Sequence, residues 1–351
     1  MTVGPINLVY FDEWMAARGP ELAARIPGVS LTRLSSDDPA EVNWQGLAKA
    51  HGHQLRPSTE TPKEFYPGED FLARCPNLLA IASAGAGYDM VDVDACTRAG
   101  VLLFNQTGAN SESVAQHVLA MMLTLSKQLI QTDRAIRREA RDWTRWDYTG
   151  RELTQKTVGI VGLGNIGRRV AEICRTLFAM RVVAYDPYIS DADFHVRGAE
   201  RRHDLETLFR EADFISINCP LTDETRGMIG AELYAVMKPT AYFVTTARGG
   251  IHDEAALEKV IREARIAGAG LDVFVEEPPA WDHPLLAYDN VIVSPHNAGV
   301  TEDCNDNMVV SATEQWTEVF AGRRPRNIVN PEVWDKFQER YSAAFGLNAA
   351  E

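Results

Sequence analysis

Two glycine-rich turns in this chain have residues of the type and spacing that could hold an anion. In TVGIVGLGNIGRRV (157–170), Gly162, Gly164 and Gly167 follow the spacing Gly-x-Gly-x-x-Gly after a strand-like run and before a helical one. The first glycine permits a tight turn, the second lets backbone approach a pyrophosphate, and the third lets helix and strand pack closely. Asn165 and Ile166 lie within the turn, and Asp186 ends the next strand-like run. Its carboxylate can accept the two ribose hydroxyls of NAD and would repel a 2′-phosphate, so this turn is expected to bind NAD. The second turn, in LLAIASAGAGYDMVD (78–92), has Met90 where a third glycine would stand, and acidic residues break any helix after it. The N–H groups of Ala84, Gly85, Ala86 and Gly87 could form a nest for a smaller anion such as a carboxylate. A purely structural turn is the alternative.

From residue 157 the runs TVGIV, RVVAY, FISIN, AYFVT, AGLDV and VIVS alternate mostly with helical patterns such as DLETLFREA and DEAALEKVIREARI. That alternation predicts parallel βαβ units. In an open parallel sheet, ligands sit at the carboxyl ends of strands. Those ends hold the glycine turn, Asp186, Cys219 with Pro220, Thr246 with Ala247 and Arg248, Asp272 with Glu277 after it, and His296 with Ala298 and Gly299. An arginine, a glutamate and a histidine thus converge on one rim. A histidine that only closes its strand by hydrogen bonding is the alternative for His296. His195, His203, His252 and His283 read as solvated and His117 as packed within a helix, while His51 and His53 are open.

Apolar residues make up 45% of the 351 and charged residues 24%, which is a globular composition with room for two domains. The net charge of −14 argues against a general nucleic-acid binder. With no long apolar run, no cleavable leader and five scattered cysteines, the chain is expected to be cytoplasmic, away from membranes and with reduced thiols. Before residue 105, NLVYF, LLAIAS and VLLFN predict a smaller α/β section. SVAQHVLAMMLTLSKQLIQTDRAIRREA predicts one long connecting helix, and EDCNDNMVVSATEQWTEVFAG a helix leading back to the first section.

AGAGYDMVD, SVAQHVLAMML, RELTQKTVGIVGLGNIG, NCPLTDETRGMI, TARGGIHDEAAL, AGLDVFVEEP and VIVSPHNAG occur in this order. Together they resemble the D-isomer-specific 2-hydroxyacid dehydrogenase family. The resemblance implies an α/β fold of two domains. A Rossmann doubly wound parallel sheet that binds NAD, residues 107–299, is inserted into a smaller flavodoxin-like α/β substrate domain, residues 1–106 and 300–351, with the active site in the cleft between them. It implies an NAD-dependent interconversion of a D-2-hydroxy acid and its 2-oxo acid by hydride transfer at C2. Arg248 would bind the carboxylate and carbonyl, His296 would move the proton, and Glu277 would orient His296 and favour its charged form.

Cofactor contacts are implied at Gly162, Gly164, Asn165, Ile166, Gly167 and Asp186, at Cys219, Pro220 and Thr225, and at Thr246, Ala247, Asp272, Ala298 and Gly299. Substrate contacts are implied at Ala84, Gly85, Ala86, Gly87, Asn110 and Arg248, and no metal is implied. Cys219 stands where the family often has histidine, and Gln116 replaces the usual acid before His117. Asn110 matches an asparagine of the formate dehydrogenases, which carry glutamine where this chain has Glu277. The connecting helical segment and RDWTRWDYTGREL resemble the family's dimer-forming region, so a homodimer is expected. The segment HGHQLRPSTETPKEFYPGEDF is expected to set substrate choice, with His51, His53 and Arg56 near the mouth of the cleft, and a solvated loop is the alternative for these three. A dedicated hydroxypyruvate or glyoxylate reductase, and a non-catalytic NAD-sensing module like the corepressors of this fold, are the alternatives.

Overall fold

Among the described residues the neighbouring strands of two sheets pair in parallel, as expected when helices cross between successive strands, and Phe104 adds one isolated antiparallel bridge to Ile328. The computed structural model describes residues 5–56, 60–138, 140 and 142–346. The chain divides into two units, Met1–Asn110 with Thr301–Glu351, and Ser111–Val300. The first holds β1 (Ile6–Phe11), β2 (Val29–Leu34), β3 (Gly52–Gln54), β4 (Ala80–Ala82) and β5 (Leu102–Phe104). Their order is β2-β1-β3-β4-β5, the flavodoxin-like order. The second holds β6 (Thr157–Val161), β7 (Arg181–Tyr185), β8 (Glu200–Arg201), β9 (Phe214–Ile217), β10 (Tyr242–Thr245), β11 (Gly268–Leu271) and β12 (Val291–Val293). Their order is β12-β11-β10-β9-β6-β7-β8. The direction of winding therefore reverses at β6, and a crevice opens there at the carboxyl ends of β6 and β9.

Burial on both faces explains the apolar runs of the second unit. Ile215, Ile217, Phe243 and Leu271 join the core on one side of the sheet. Val158, Ile160, Val182, Phe214 and Val244 join the core on the other. The helix Asn165–Phe178 buries Gly167, Val170, Ala171 and Cys174, the spacing of a single helical stripe.

The expected long connecting helix is two helices, Ser111–Ser126 and Leu129–Arg137. Gln128 takes a left-handed φ of 52° between them. The Ser126 carbonyl accepts the Arg151 N–H at 2.7 Å, so returning backbone occupies the place of the next helical turn. The predicted helix after residue 300 spans Glu302–Phe320, and Thr301 caps it by accepting the Cys304 N–H. No helix among the described residues is long and apolar enough to cross a membrane.

Candidate active site

At the end of β6, Gly162 adopts φ +85°, and a Cβ there would come within 2.7 Å of the Cys219 backbone nitrogen. Gly164 differs: a Cβ on it would meet nothing within 4 Å. The protein's own packing gives no reason for glycine at 164, whereas a ligand that must touch backbone does. No side chain caps the helix Asn165–Phe178, which starts directly after Gly164, so its first N–H groups point to the crevice without a side-chain acceptor. Asp186 closes the turn, its Oδ2 accepting the Leu163 N–H at 2.9 Å and its Oδ1 the Tyr188 N–H at 3.0 Å. An ionised carboxylate has about four acceptor sites, so capacity for ribose hydroxyls remains. These residues fit a dinucleotide.

On the same unit, Arg248 follows β10, Glu277 lies in the loop after β11, and His296 follows β12. His296 Nδ1 and Glu277 Oε2 are 2.7 Å apart, and Glu277 Oε1 accepts the Phe274 N–H at 3.0 Å. Burial raises the Glu277 pKa. The His296 hydrogen bond and charge, the Phe274 amide and the Arg248 charge outweigh burial, and the net result lies below the ordinary carboxylate range. Glu277 is therefore ionised and can only accept, so Nδ1 of His296 carries the hydrogen. Nε2 is left as the nitrogen that can exchange a proton.

Close backbone contact ties the arginine loop to the glutamate loop. A Cβ at Gly249 would sit 2.0 Å from the Phe274 carbonyl carbon, so only glycine can follow Arg248 here. Glu254 steadies the same loop, its Oε1 accepting the Val275 N–H at 2.7 Å while Oε2 meets His283 Nε2 at 3.3 Å. His283 Nδ1 accepts the Leu285 N–H, so its Nε2 is the donor to Glu254.

Other expected positions are engaged within their own loops. The Asp272 carboxylate accepts from the Ser294 hydroxyl and from the Asn297 and Ala298 amides, turned toward the loop of His296. Ala298 is buried, and its carbonyl accepts the Ser113 hydroxyl. Thr225 donates to the Pro220 carbonyl at 2.7 Å and closes the loop that follows Cys219. Thr246 is buried, Ala247 and Gly299 are half-buried, and burial pushes the Cys219 thiol up to about 11.

In the first unit, Gly85 has φ +72° and Asn110 is half-buried. The nest expected at Ala84–Gly87 is reduced, because the Gly85 N–H already donates to Gln106 Oε1 at 2.9 Å. His53 is wholly buried in β3 and cannot line a pocket. His51 and Arg56 flank β3 at opposite ends. His51 Nδ1 accepts the Asn7 N–H, and Arg56 is ion-paired with Asp12 and Glu60. Residues 57–59 of that segment lie outside the described residues. His252, expected in solvent, is buried with neither ring nitrogen hydrogen-bonded among the described residues. Sequence reading missed Ser294 and Glu254, since a lone serine or glutamate beside a strand end carries no spacing signal.

Residues 119–298 match the family model described as D-isomer specific 2-hydroxyacid dehydrogenase, NAD binding domain. A glyoxylate reductase of Aeropyrum pernix is 40% identical over 269 residues, covering 75% of this chain and 80% of that protein. A D-3-phosphoglycerate dehydrogenase of Methanocaldococcus jannaschii is 39% identical over 261 residues, covering 74% of this chain. The matched stretch spans about half of that relative's length, 49%. The crystal structure of a D-lactate dehydrogenase from Aquifex aeolicus, complexed with NAD and lactic acid, superposes with a TM-score of 0.79 at 28% identity, over 92% of this chain and 99% of that one.

Proposed function

We propose that this chain, which belongs to the D-isomer specific 2-hydroxyacid dehydrogenase family, interconverts a D-2-hydroxy acid and its 2-oxo acid with NAD. The observation that carries the reading is the His296–Glu277 pair at 2.7 Å, with Arg248 close enough to act on the same carboxylate. NAD, when bound, supplies the hydride acceptor or donor for C2. In oxidation His296 Nε2 takes the proton of the substrate hydroxyl as its C–O bond becomes a carbonyl; in reduction Nε2 returns it. The Arg248 guanidinium binds the substrate carboxylate and stabilises charge on the reacting oxygen. Gly162, Gly164 and the helix start at Asn165 would hold the pyrophosphate of bound NAD, and Asp186 would hold its adenosine ribose.

The five cysteines are free, which suits a reducing cytoplasm. Leu129, Ile136 and Trp146, at 53%, 59% and 71% exposure on one stretch of chain, suit burial against a second copy in a homodimer.

NADH oxidation with a panel of 2-oxo acids, including hydroxypyruvate, glyoxylate and bulkier aromatic acids, tests the reading. Turnover of at least one acid is expected. NADH binding without turnover of any would replace the enzyme with an NAD-sensing module. Asp186 should also make the enzyme strongly prefer NAD to NADP. Asp186→Ala should weaken NAD binding about tenfold to a hundredfold, the scale of a lost charge-assisted contact, and narrow the gap to NADP. Equal wild-type efficiencies with the two cofactors would remove Asp186 from this role.

A further inference from the structure

At the amino ends of β3 and β4, a hollow of about 340 Å³ opens beside the helix Trp334–Phe345, all within the unit Met1–Asn110 with Thr301–Glu351. It lies at the end of the first sheet opposite the Ala84–Gly87 turn, away from the carboxyl ends where ligands of open sheets normally sit. His51 and Leu79, which lead into the two strands, form one wall, and Arg340, Ala343 and Ala344 of the helix form the other. No acidic side chain lines it among the described residues, although the chain carries 49 acidic side chains against 35 basic ones.

Arg340 gives the hollow its chemistry. Its Nη1 donates to the carbonyls of Ala99 and Gly100, at 3.0 and 3.3 Å, and its Nη2 to that of Pro76 at 2.7 Å. Ala99 and Gly100 end the helix Val93–Ala99, so the guanidinium caps carbonyls that this helix leaves without partners. That task spends three of its five N–H groups. The Nε–H and one hydrogen of Nη2 remain, on adjacent nitrogens, as a two-pronged grip on a carboxylate or phosphate requires. Burial alone acts on the Arg340 pKa, downward, with no acid near enough to oppose it.

Two neighbours add donors. His51 Nδ1 accepts the Asn7 N–H at 3.0 Å, so the neutral ring carries its hydrogen on Nε2. Asn77 is anchored through Nδ2 to the Ala48 carbonyl at 3.1 Å and keeps a second amide hydrogen. Ala344 lies one helical turn beyond Arg340 on the same face, and its short side chain leaves the space in front of the guanidinium open.

We propose that this hollow binds a small oxyanion, the carboxylate or phosphate group of a metabolite, through Nε and Nη2 of Arg340, with His51 and Asn77 as further donors. The site is independent of the assigned redox chemistry.

Isothermal titration of the full chain with inorganic phosphate and with succinate tests it, with NADH kept saturating so that the dinucleotide turn does not take up the anion. At least one of the two should bind with a dissociation constant of about 1 mM or tighter, the scale of a few charge-assisted hydrogen bonds to one small ion. Arg340→Gln removes the two-pronged grip and should weaken binding about tenfold or more. Ala344→Glu leaves the three carbonyl contacts in place and sets a carboxylate one turn from Arg340, so it should weaken binding to the same extent by occupying the guanidinium and repelling the anion. It also carries the test should Arg340→Gln fail to fold. Phosphate binding with succinate silent would assign a phosphate-bearing ligand and the reverse a carboxylate, and either supports the site. Unchanged binding in either folded variant would place the anion elsewhere and overturn the proposal. So would the absence of heat from both ions at about fifty times the expected constant.

Discussion

His296→Ala should lower turnover about a hundredfold or more in both directions, the contribution of a well-placed acid–base group. Alanine leaves no group to take the hydroxyl proton in oxidation or to supply it in reduction. Water entering the space would be a far weaker and less oriented substitute. The effect should fall on kcat, with the NADH KM little changed, because the imidazole is assigned to the substrate's oxygen and not to the cofactor. Steady-state kinetics in both directions check this, and near-normal turnover would remove the histidine from the mechanism.

Glu277 supplies the second large effect. Burial raises its pKa, but the His296 contact, the Phe274 amide and the Arg248 charge outweigh burial and hold the carboxyl below the ordinary range, so it is an ionised acceptor at neutral pH. Glu277→Gln keeps the shape and removes the charge, and a glutamine that turns its NH2 toward His296 Nδ1 cannot accept from it. The variant should lose about tenfold or more in kcat in both directions, with the NADH KM little changed, because the ring is no longer held with Nε2 toward the substrate. Steady-state kinetics check this, and an unchanged kcat would show that Glu277 does not orient the ring.

How far the sequence could be read depended on what each strand packs against. β6, β7, β9, β10 and β11 are covered on both faces, so their runs are apolar and easily recognised. β2 is an edge strand with a half-exposed pattern, and VSLTRL reads as ordinary polar chain. β3 reads as Gly-His-Gln, yet it is fully buried between β1 and β4. Its glycine makes room for Trp316, since a Cβ at Gly52 would approach that ring within 2.8 Å, and Gln54 Oε1 accepts the Trp316 indole N–H at 3.0 Å. That tryptophan is more than 260 positions away, |i−j| = 262 from Gln54, so no local pattern reports the contact. The same logic governs the site. Strand ends pointed to Arg248, Glu277 and His296 because side chains with chemistry stand out by type. The Ser294 clamp stayed hidden, because it exists only once β11 and β12 are in register.

Stability should fall steeply in mild acid, and His53 is the main reason in the unit Met1–Asn110 with Thr301–Glu351. Its ring has no exposure, stacks on Phe71 at 5.8 Å and lies 5.9 Å from Phe11. Neither ring nitrogen is hydrogen-bonded among the described residues. Burial without a partner pushes its pKa down to about 3. The folded unit therefore keeps the ring neutral, while the unfolded chain takes up a proton below about 6.5. Across that window the unfolded state binds more protons, so stability is fully present above 6.5 and declines as pH falls toward 3. The slope is about 1.4 kcal/mol per pH unit, which is about 2 kcal/mol or a thirtyfold shift in the unfolding equilibrium at pH 5. His252, buried beside Phe243 and pushed down to about 4, exerts the same pull on the unit Ser111–Val300. Urea midpoints of wild type and His53→Leu, taken at pH 7.5 and pH 5, isolate the first contribution. Leucine fills the site without a titrating group, so carboxylates and His252 affect both proteins alike and cancel. The wild type should lose about 2 kcal/mol more than His53→Leu between the two pH values. An equal loss in both would mean that the folded state accepts the proton on His53, which requires water or a carboxylate to reach a ring held between Phe11 and Phe71.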